Sequence, residues 1–125
     1  MILAYVAAGG AIGAVLRYLS VQAAGRLFGA GFPWGTFGVN IIGSFLIGIA
    51  VAWLATKAEG TAEMRALLVT GVLGGFTTFS AFSLDVIQLL ERKAHMEASL
   101  YALGSVGVSV LFCFAGLALM RGALS

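Results

Sequence analysis

Charged residues divide the chain into long apolar runs. Three uncharged runs cover residues 27–56, 66–84 and 98–120, and each can cross a bilayer, since about 20 apolar residues span its hydrocarbon core. The first run, residues 1–16, is shorter, so a first spanning helix must continue through Arg17. The pattern predicts an all-α integral membrane protein with one domain, 1–125, whose four transmembrane helices lie at about residues 2–25, 33–56, 62–91 and 97–121.

The composition supports a membrane protein and excludes several other classes. The chain is 61% hydrophobic and only 10% charged, with a mean hydropathy of +1.06, whereas soluble domains are about 45–50% apolar and about 25% charged. So few charges argue against nucleic-acid binding. Cys113 is the only cysteine, which excludes an intrachain disulfide and every multi-cysteine metal site. No carboxylate lies in the interior of the first, second or fourth predicted helix, so we expect no acid–base enzyme.

Positive charge does not select an orientation across the membrane. With four crossings, each side carries three basic residues: Lys57, Arg65 and Arg121 on one, and Arg26, Arg92 and Lys93 on the other. The positive-inside rule therefore gives no preference. Insertion both ways round, which would permit an antiparallel homodimer, is one interpretation. A single orientation set by weak cues such as Arg17 is the other.

Polar side chains form a stripe on each of two predicted helices. The stripes are Thr36, Asn40 and Ser44 in the second helix, and Tyr101, Ser105 and Ser109 in the fourth. Each has i, i+4, i+8 spacing and so lies on one helix face. Such residues often bond only to neighbouring helices. Together, however, they indicate a narrow polar track without fixed charge, which suits a dehydrated small anion that must also leave.

The third predicted helix contains a run of poor helix formers, from Gly74 to Ser83. Paired glycines followed by threonines and serines predict a break near residues 74–80. Carbonyl groups freed by a break at membrane depth can bind a cation, although a glycine kink without chemical role is the alternative. Phe79 and Phe82 follow on one face, and their positive ring edges suit an anion.

Glycine is frequent, with 18 residues. The pairs Gly9 and Gly13, and Gly25 and Gly29, have the spacing that lets transmembrane helices approach closely, and Gly43 and Gly48 add small positions to the second helix. We expect these glycines to lie at helix contacts.

The chain resembles the Fluc (CrcB) family of fluoride channels over nearly its whole length. The resemblance is carried by residues 9–18 (GGAIGAVLRY), 35–45 (GTFGVNIIGSF) and 74–83 (GGFTTFSAFS). It implies a four-helix subunit that inserts in both orientations and forms an antiparallel homodimer with two pores in the cell (inner) membrane. It also implies passive export of fluoride from the cytoplasm, which relieves fluoride toxicity.

The resemblance also implies roles for single residues. Asn40 would donate its amide to fluoride, Phe79 and Phe82 would face the ion with their ring edges, and Arg17 would lie near the pore entrance. Tyr101, Ser105 and Ser109 would form the polar track, with Thr36 on the facing stripe. The main-chain carbonyls of Gly74 and Thr77 would bind a structural Na⁺ at the dimer centre.

Two residues depart from the family pattern, and two other functions remain open. Ala81 stands where threonine is common, and Asp85 stands where glutamate is usual. A proton-coupled small multidrug exporter has the same architecture but needs a glutamate in its first helix, and residues 1–16 contain no acid. A non-conducting scaffold subunit would use the glycines for packing alone.

Overall fold

The computed structural model describes residues 1–57, 59 and 61–125, and every regular element in them is a helix. The connection expected at residues 57–60 includes Ala58 and Gly60, which lie outside the described residues. The helices are α1 (Ile2–Phe28), α2 (Trp34–Leu54), α3 (residues 61–76), α4 (Ser80–Glu91) and α5 (His95–Leu124). With α3 and α4 taken as one span, Thr61–Glu91, four helices are long and apolar enough to cross a membrane. The protein is a multi-pass membrane protein.

The helix ends follow local backbone chemistry. α1 runs to Phe28, three residues beyond the expected end, and stops at Gly29, whose φ of 81° only glycine adopts readily. The N–H of Gly29 donates to the carbonyl of Gly25, 2.9 Å away. α2 begins directly after Pro33, which suits a helix start because proline lacks an N–H. Near its other end, the Lys57 ammonium lies 4.4 Å from the Trp53 ring.

The third span has an unusual first half. Within α3, residues Thr61–Arg65 and Gly74–Phe76 are α-helical, but Ala66–Leu73 form a π-helix, a rare form that usually extends over a single turn. This segment packs against α1 through glycines. A Cβ atom placed on Gly9 would lie 2.8 Å from the Cα of Gly71. The two backbones are therefore in direct contact.

A second close contact joins α2 and α5. A Cβ on Gly48 would lie 2.8 Å from the backbone nitrogen of Leu117, and one on Gly116 would lie 3.1 Å from the carbonyl carbon of Phe45. The expected packing roles of Gly9, Gly13, Gly43 and Gly48 are confirmed. For Gly25 and Gly29 the expectation was wrong within one subunit: no atom of its described residues lies within 4 Å of either missing Cβ.

Buried side chains are few, and the two largest of them, Tyr101 and Leu89, lie where α4 meets α5. Phe82, Leu89, Ala98 and Tyr101 form the core cluster, and Tyr101 has no exposed surface. Most large apolar side chains instead face outward, for example Leu103 at 76% and Phe114 at 71% exposure. In a chain that spans a membrane, the lipid bilayer covers such side chains.

Substitution of Gly13 tests the contact between α1 and α3. Its added Cβ would overlap the carbonyl oxygen of Val72 and lie 2.8 Å from the nitrogen of Phe76. We expect Gly13→Ala to lower the free energy of unfolding by about 1–3 kcal/mol, the usual cost of overpacking. Gly10→Ala is the matched control, because nothing lies within 4 Å of that Cβ. Unfolding titrations in mixed micelles measure both variants, and equal stabilities would contradict the contact.

Candidate functional site

The site is built around an interruption between α3 and α4, at residues 77–79. Thr77 has an extended conformation, with φ −86° and ψ 159°. The N–H of Thr78 donates to Oδ1 of Asn40 at 2.7 Å, and Nδ2 of Asn40 donates to the carbonyl of Thr78 at 2.9 Å. The hydroxyl of Thr78 accepts the N–H of Ala81 at 3.1 Å. A side chain of α2 thus replaces the helical partners of Thr78.

The interruption occupies a shorter segment than residues 74–80, because Gly74–Phe76 remain helical. α2 approaches it closely. A Cβ on Gly43 would lie 3.3 Å from the ring of Phe76 and would overlap the methyl group of Thr77. The missing side chain of Gly43 therefore makes room for the extended backbone next to Asn40.

An open groove of about 360 Å³ runs beside the interruption. It brings together five residues of the predicted ion pathway, namely Asn40, Phe79, Phe82, Ser105 and Ser109, and adds Ser44 and Thr77 to its lining. The hydroxyl oxygens of Ser105 and Ser109 are buried and have no hydrogen-bond partner among the described residues. Buried polar atoms without a partner are uncommon in folded proteins and require an explanation. Here they leave two hydroxyl groups without a hydrogen-bond partner beside the groove.

The two phenylalanines differ in their surroundings. Phe79 is 75% exposed at the rim, whereas Phe82 is 9% exposed. Their ring centroids are 5.5 Å apart with an interplanar angle of 43°, and Phe82 lies 5.1 Å from the ring of Tyr101. The pair therefore forms one wall of the groove, with its outer member uncovered.

Three predicted pathway residues, Thr36, Tyr101 and Arg17, lie outside this groove. Thr36 lines a second cavity of about 530 Å³, together with Asp85, at the end of the bundle near Trp34. Tyr101 lines neither cavity, and its hydroxyl donates to Oδ2 of Asp85 at 2.9 Å. Because its ring also contacts Phe82, Tyr101 stands between the groove and this end cavity.

Arg17 and Gly74 are also separate from the groove lining. The first is the sixteenth of the 27 residues of α1, and its Nε donates to the carbonyl of Gly75 at 3.1 Å. Arg17 therefore lies in the interior of its helix, as it does in the predicted helix of residues 2–25. Gly74 is exposed, and the carbonyl oxygens of Gly74 and Thr77 accept no hydrogen bond from any described residue.

Sequence reasoning missed two contacts of the site. The only sequence signal for the bonds between Asn40 and Thr78 is general: an amide group inside a membrane needs hydrogen-bond partners. No sequence signal pointed to the bond between Tyr101 and Asp85, because the two residues are 16 positions apart on different helices.

Four spans, with an open groove that carries hydroxyls, an amide and aromatic rings, define a multi-pass membrane protein. A family model described as CrcB-like protein, Camphor Resistance (CrcB), matches residues 4–117. Similar proteins include one from Rhizobium etli, 54% identical over 93% of both chains, and one from Agrobacterium fabrum, 56% identical over 95% of both. A third, from Chelativorans sp., is 56% identical over 93% of both. Each is named fluoride-specific ion channel FluC, which describes a channel and not an enzyme. The chain belongs to the CrcB family.

The unpartnered hydroxyls of Ser105 and Ser109 lead to a prediction about the free energy of unfolding. Removing a buried hydroxyl that has no partner costs no hydrogen bond, so Ser105→Ala and Ser109→Ala should leave the unfolding free energy unchanged or slightly higher. Tyr101→Phe is the comparison: it leaves Asp85 without its donor and should cost about 1–3 kcal/mol. Unfolding titrations distinguish the two cases, and serine variants as unstable as Tyr101→Phe would show that both hydroxyls have structural partners.

Proposed function

We propose that this protein is a fluoride-selective passive ion channel that exports fluoride from the cytoplasm and so relieves fluoride toxicity. The observation that carries the proposal is the pair of unpartnered hydroxyls, Ser105 and Ser109, which line one groove with Asn40, Phe79 and Phe82. The names of the relatives support the same ion.

The groove offers the donors that fluoride needs. Fluoride is small and strongly hydrated, so it enters only where other donors replace its water shell. The hydroxyls, the amide and the positive edges of the rings supply such donors without a fixed positive charge that would trap the ion. No carboxylate is among the residues that line the groove. Thr36 and Tyr101 extend the path toward the end cavity, and Arg17 contributes positive potential rather than a direct contact.

A passive path is sufficient for export. Fluoride enters cells in acidic surroundings as neutral HF, which dissociates inside and traps the anion. The membrane potential, negative inside, then drives anions outward with about 2.3 kcal/mol per charge per 100 mV. Export therefore requires no coupled proton, and this role places the channel in the cell (inner) membrane.

A second copy of the chain is the proposed cover of the open groove. The rim residue Phe79 and the backbone at Gly74 are exposed, and lipid cannot satisfy bare carbonyl groups at membrane depth. The equal basic charge on the two sides of the membrane favours insertion in both orientations. We therefore propose an antiparallel homodimer in which the interruptions of the two subunits meet.

A structural Na⁺ fits the same place. The carbonyl oxygens of Gly74 and Thr77 are free of hydrogen bonds from the described residues, and interrupted membrane helices offer such oxygens to Na⁺. Two subunits would supply four oxygens. The ion would neutralise their partial negative charge and join the subunits.

Fluoride efflux from liposomes tests the function. In vesicles loaded with potassium fluoride, addition of a potassium ionophore should release fluoride quickly, while vesicles loaded with potassium chloride retain chloride. Ser109→Ala and Phe79→Ile should slow release about 10- to 100-fold, the effect of losing about 1.5–3 kcal/mol of interaction with an ion. Phe114→Ile is the matched control, since Phe114 is similarly exposed, at 71%, and lies outside the groove.

Each alternative outcome contradicts the proposal in a recognisable way. Fluoride that stays inside until detergent is added, from vesicles whose protein cross-links as a dimer, would indicate a scaffold subunit. Release that depends on a proton gradient would indicate a coupled exporter.

Labelling of a single cysteine tests the dual topology. In a Cys113→Ser background, Ala30→Cys places a thiol in the exposed connection between α1 and α2 and leaves the count of basic residues unchanged. A membrane-impermeant maleimide applied to sealed cells should label about half of the chains. Labelling of all chains or of none, with complete labelling after permeabilisation, would show a single orientation.

A further inference from the structure

We propose that Asn40 is a positioning residue: its amide latches the backbone of Thr78 and so maintains the non-helical interruption at residues 77–79. This role is separate from any contact between Asn40 and an ion. Its consequence for conduction rests on the proposed function, but the latch itself does not.

The geometry of the pair is that of two complementary amides. Oδ1 of Asn40 accepts the N–H of Thr78 at 2.7 Å, and Nδ2 donates to the carbonyl of the same residue at 2.9 Å. A primary amide is suited to this pairing, because it presents a donor and an acceptor side by side in one plane. Aspartate lacks the donor, and serine is too short to reach both backbone groups.

The latch competes directly with helix formation. In an uninterrupted helix the N–H of Thr78 would donate to the carbonyl of Gly74, four residues earlier. Because Asn40 accepts that N–H instead, the Gly74 carbonyl stays free and the helix stops. The hydroxyl of Thr78 then accepts the N–H of Ala81 and thereby starts α4.

The next residue connects the latch to the groove. Phe79 follows Thr78 directly and forms the rim of the groove with its ring 5.5 Å from that of Phe82. The position of the Phe79 ring therefore depends on the backbone that Asn40 holds. The bonds to Thr78 also leave only one N–H of the Asn40 amide for an ion, since the group has two.

Standard substitutions of Asn40 change the latch and any contact with an ion together. A change in the backbone of Thr78 separates the two effects, because it weakens the latch and leaves the Asn40 side chain unchanged. Replacing Thr78 by its α-hydroxy analogue during cell-free synthesis converts the amide between Thr77 and Thr78 to an ester. The change removes the N–H of Thr78 and also makes the Thr77 carbonyl a weaker acceptor. The Asn40 side chain stays intact for an ion. A valine ester at Val108 in α5, outside the groove lining, is the matched control.

Two measurements report the effect of the Thr78 ester. The first is the ¹⁹F resonance of 4-fluorophenylalanine at position 79 in lipid nanodiscs, and the second is fluoride efflux. The Thr78 ester should shift or broaden the resonance as Asn40→Ala does, and should slow efflux by about tenfold. Ester and Asn40→Ala together should have no larger effect than Asn40→Ala alone, which removes both bonds to Thr78. The Val108 ester should leave the resonance unchanged.

Amide exchange provides a measurement that needs no ester. Asn40→Ser should speed hydrogen exchange at the Thr78 N–H at least about tenfold, the equivalent of about 1.4 kcal/mol, while exchange along α5 stays the same. An unchanged Phe79 resonance in the Thr78 ester, or unchanged exchange at Thr78, would overturn the latch. If the unaltered protein released no fluoride, the channel would be refuted, but both spectroscopic results would still decide on the latch.

Discussion

The structure depends on one constraint: backbone groups at membrane depth need partners, because lipid supplies none. An uninterrupted helix meets this requirement by itself, but residues 77–79 are not helical. Asn40 supplies both partners of Thr78, and Arg17 supplies one for the carbonyl of Gly75. Interrupted backbone in the middle of the third span is therefore stabilised by polar side chains of the first two helices, and the groove forms beside it.

Close helix packing brings the side chains of Asn40 and Arg17 within hydrogen-bond distance of the interrupted backbone. Gly9 and Gly13 bring α1 against the π-helical part of α3, and Gly43 leaves space for Thr77. In lipid, where apolar surface gains little from leaving the solvent, such contacts between backbones are a main source of association. The same closeness buries Ser105 and leaves its hydroxyl without a partner. Packing thus produces the chemical property on which the proposed channel function rests, namely unpartnered hydroxyls beside an open groove.

The sequence predicts the four spans well, since apolar runs bounded by charges respond directly to the thickness of the bilayer. It also groups Asn40, Ser105 and Ser109, and the structure places these three residues along one groove. It does not predict that Thr36 lies in a different cavity. The spacing shows only that the stripe from Thr36 to Ser44 lies on one helix face, and this stripe is about 12 Å long, so its two ends can line different cavities. The π-helix of Ala66–Leu73 was not predictable either. Its hydrogen-bond register is not encoded in local propensity, and the glycines that face it are distant in the chain.

The most direct test of the central claim is the reversal potential of the purified protein in a planar bilayer, with potassium fluoride on one side and an equal concentration of potassium chloride on the other. Because potassium is balanced, the potential reports only the ratio of anion permeabilities. A fluoride-selective channel predicts a large reversal potential, positive on the fluoride side as fluoride leaves it. A reversal potential near zero would show that the groove does not distinguish the two anions, and would contradict the account.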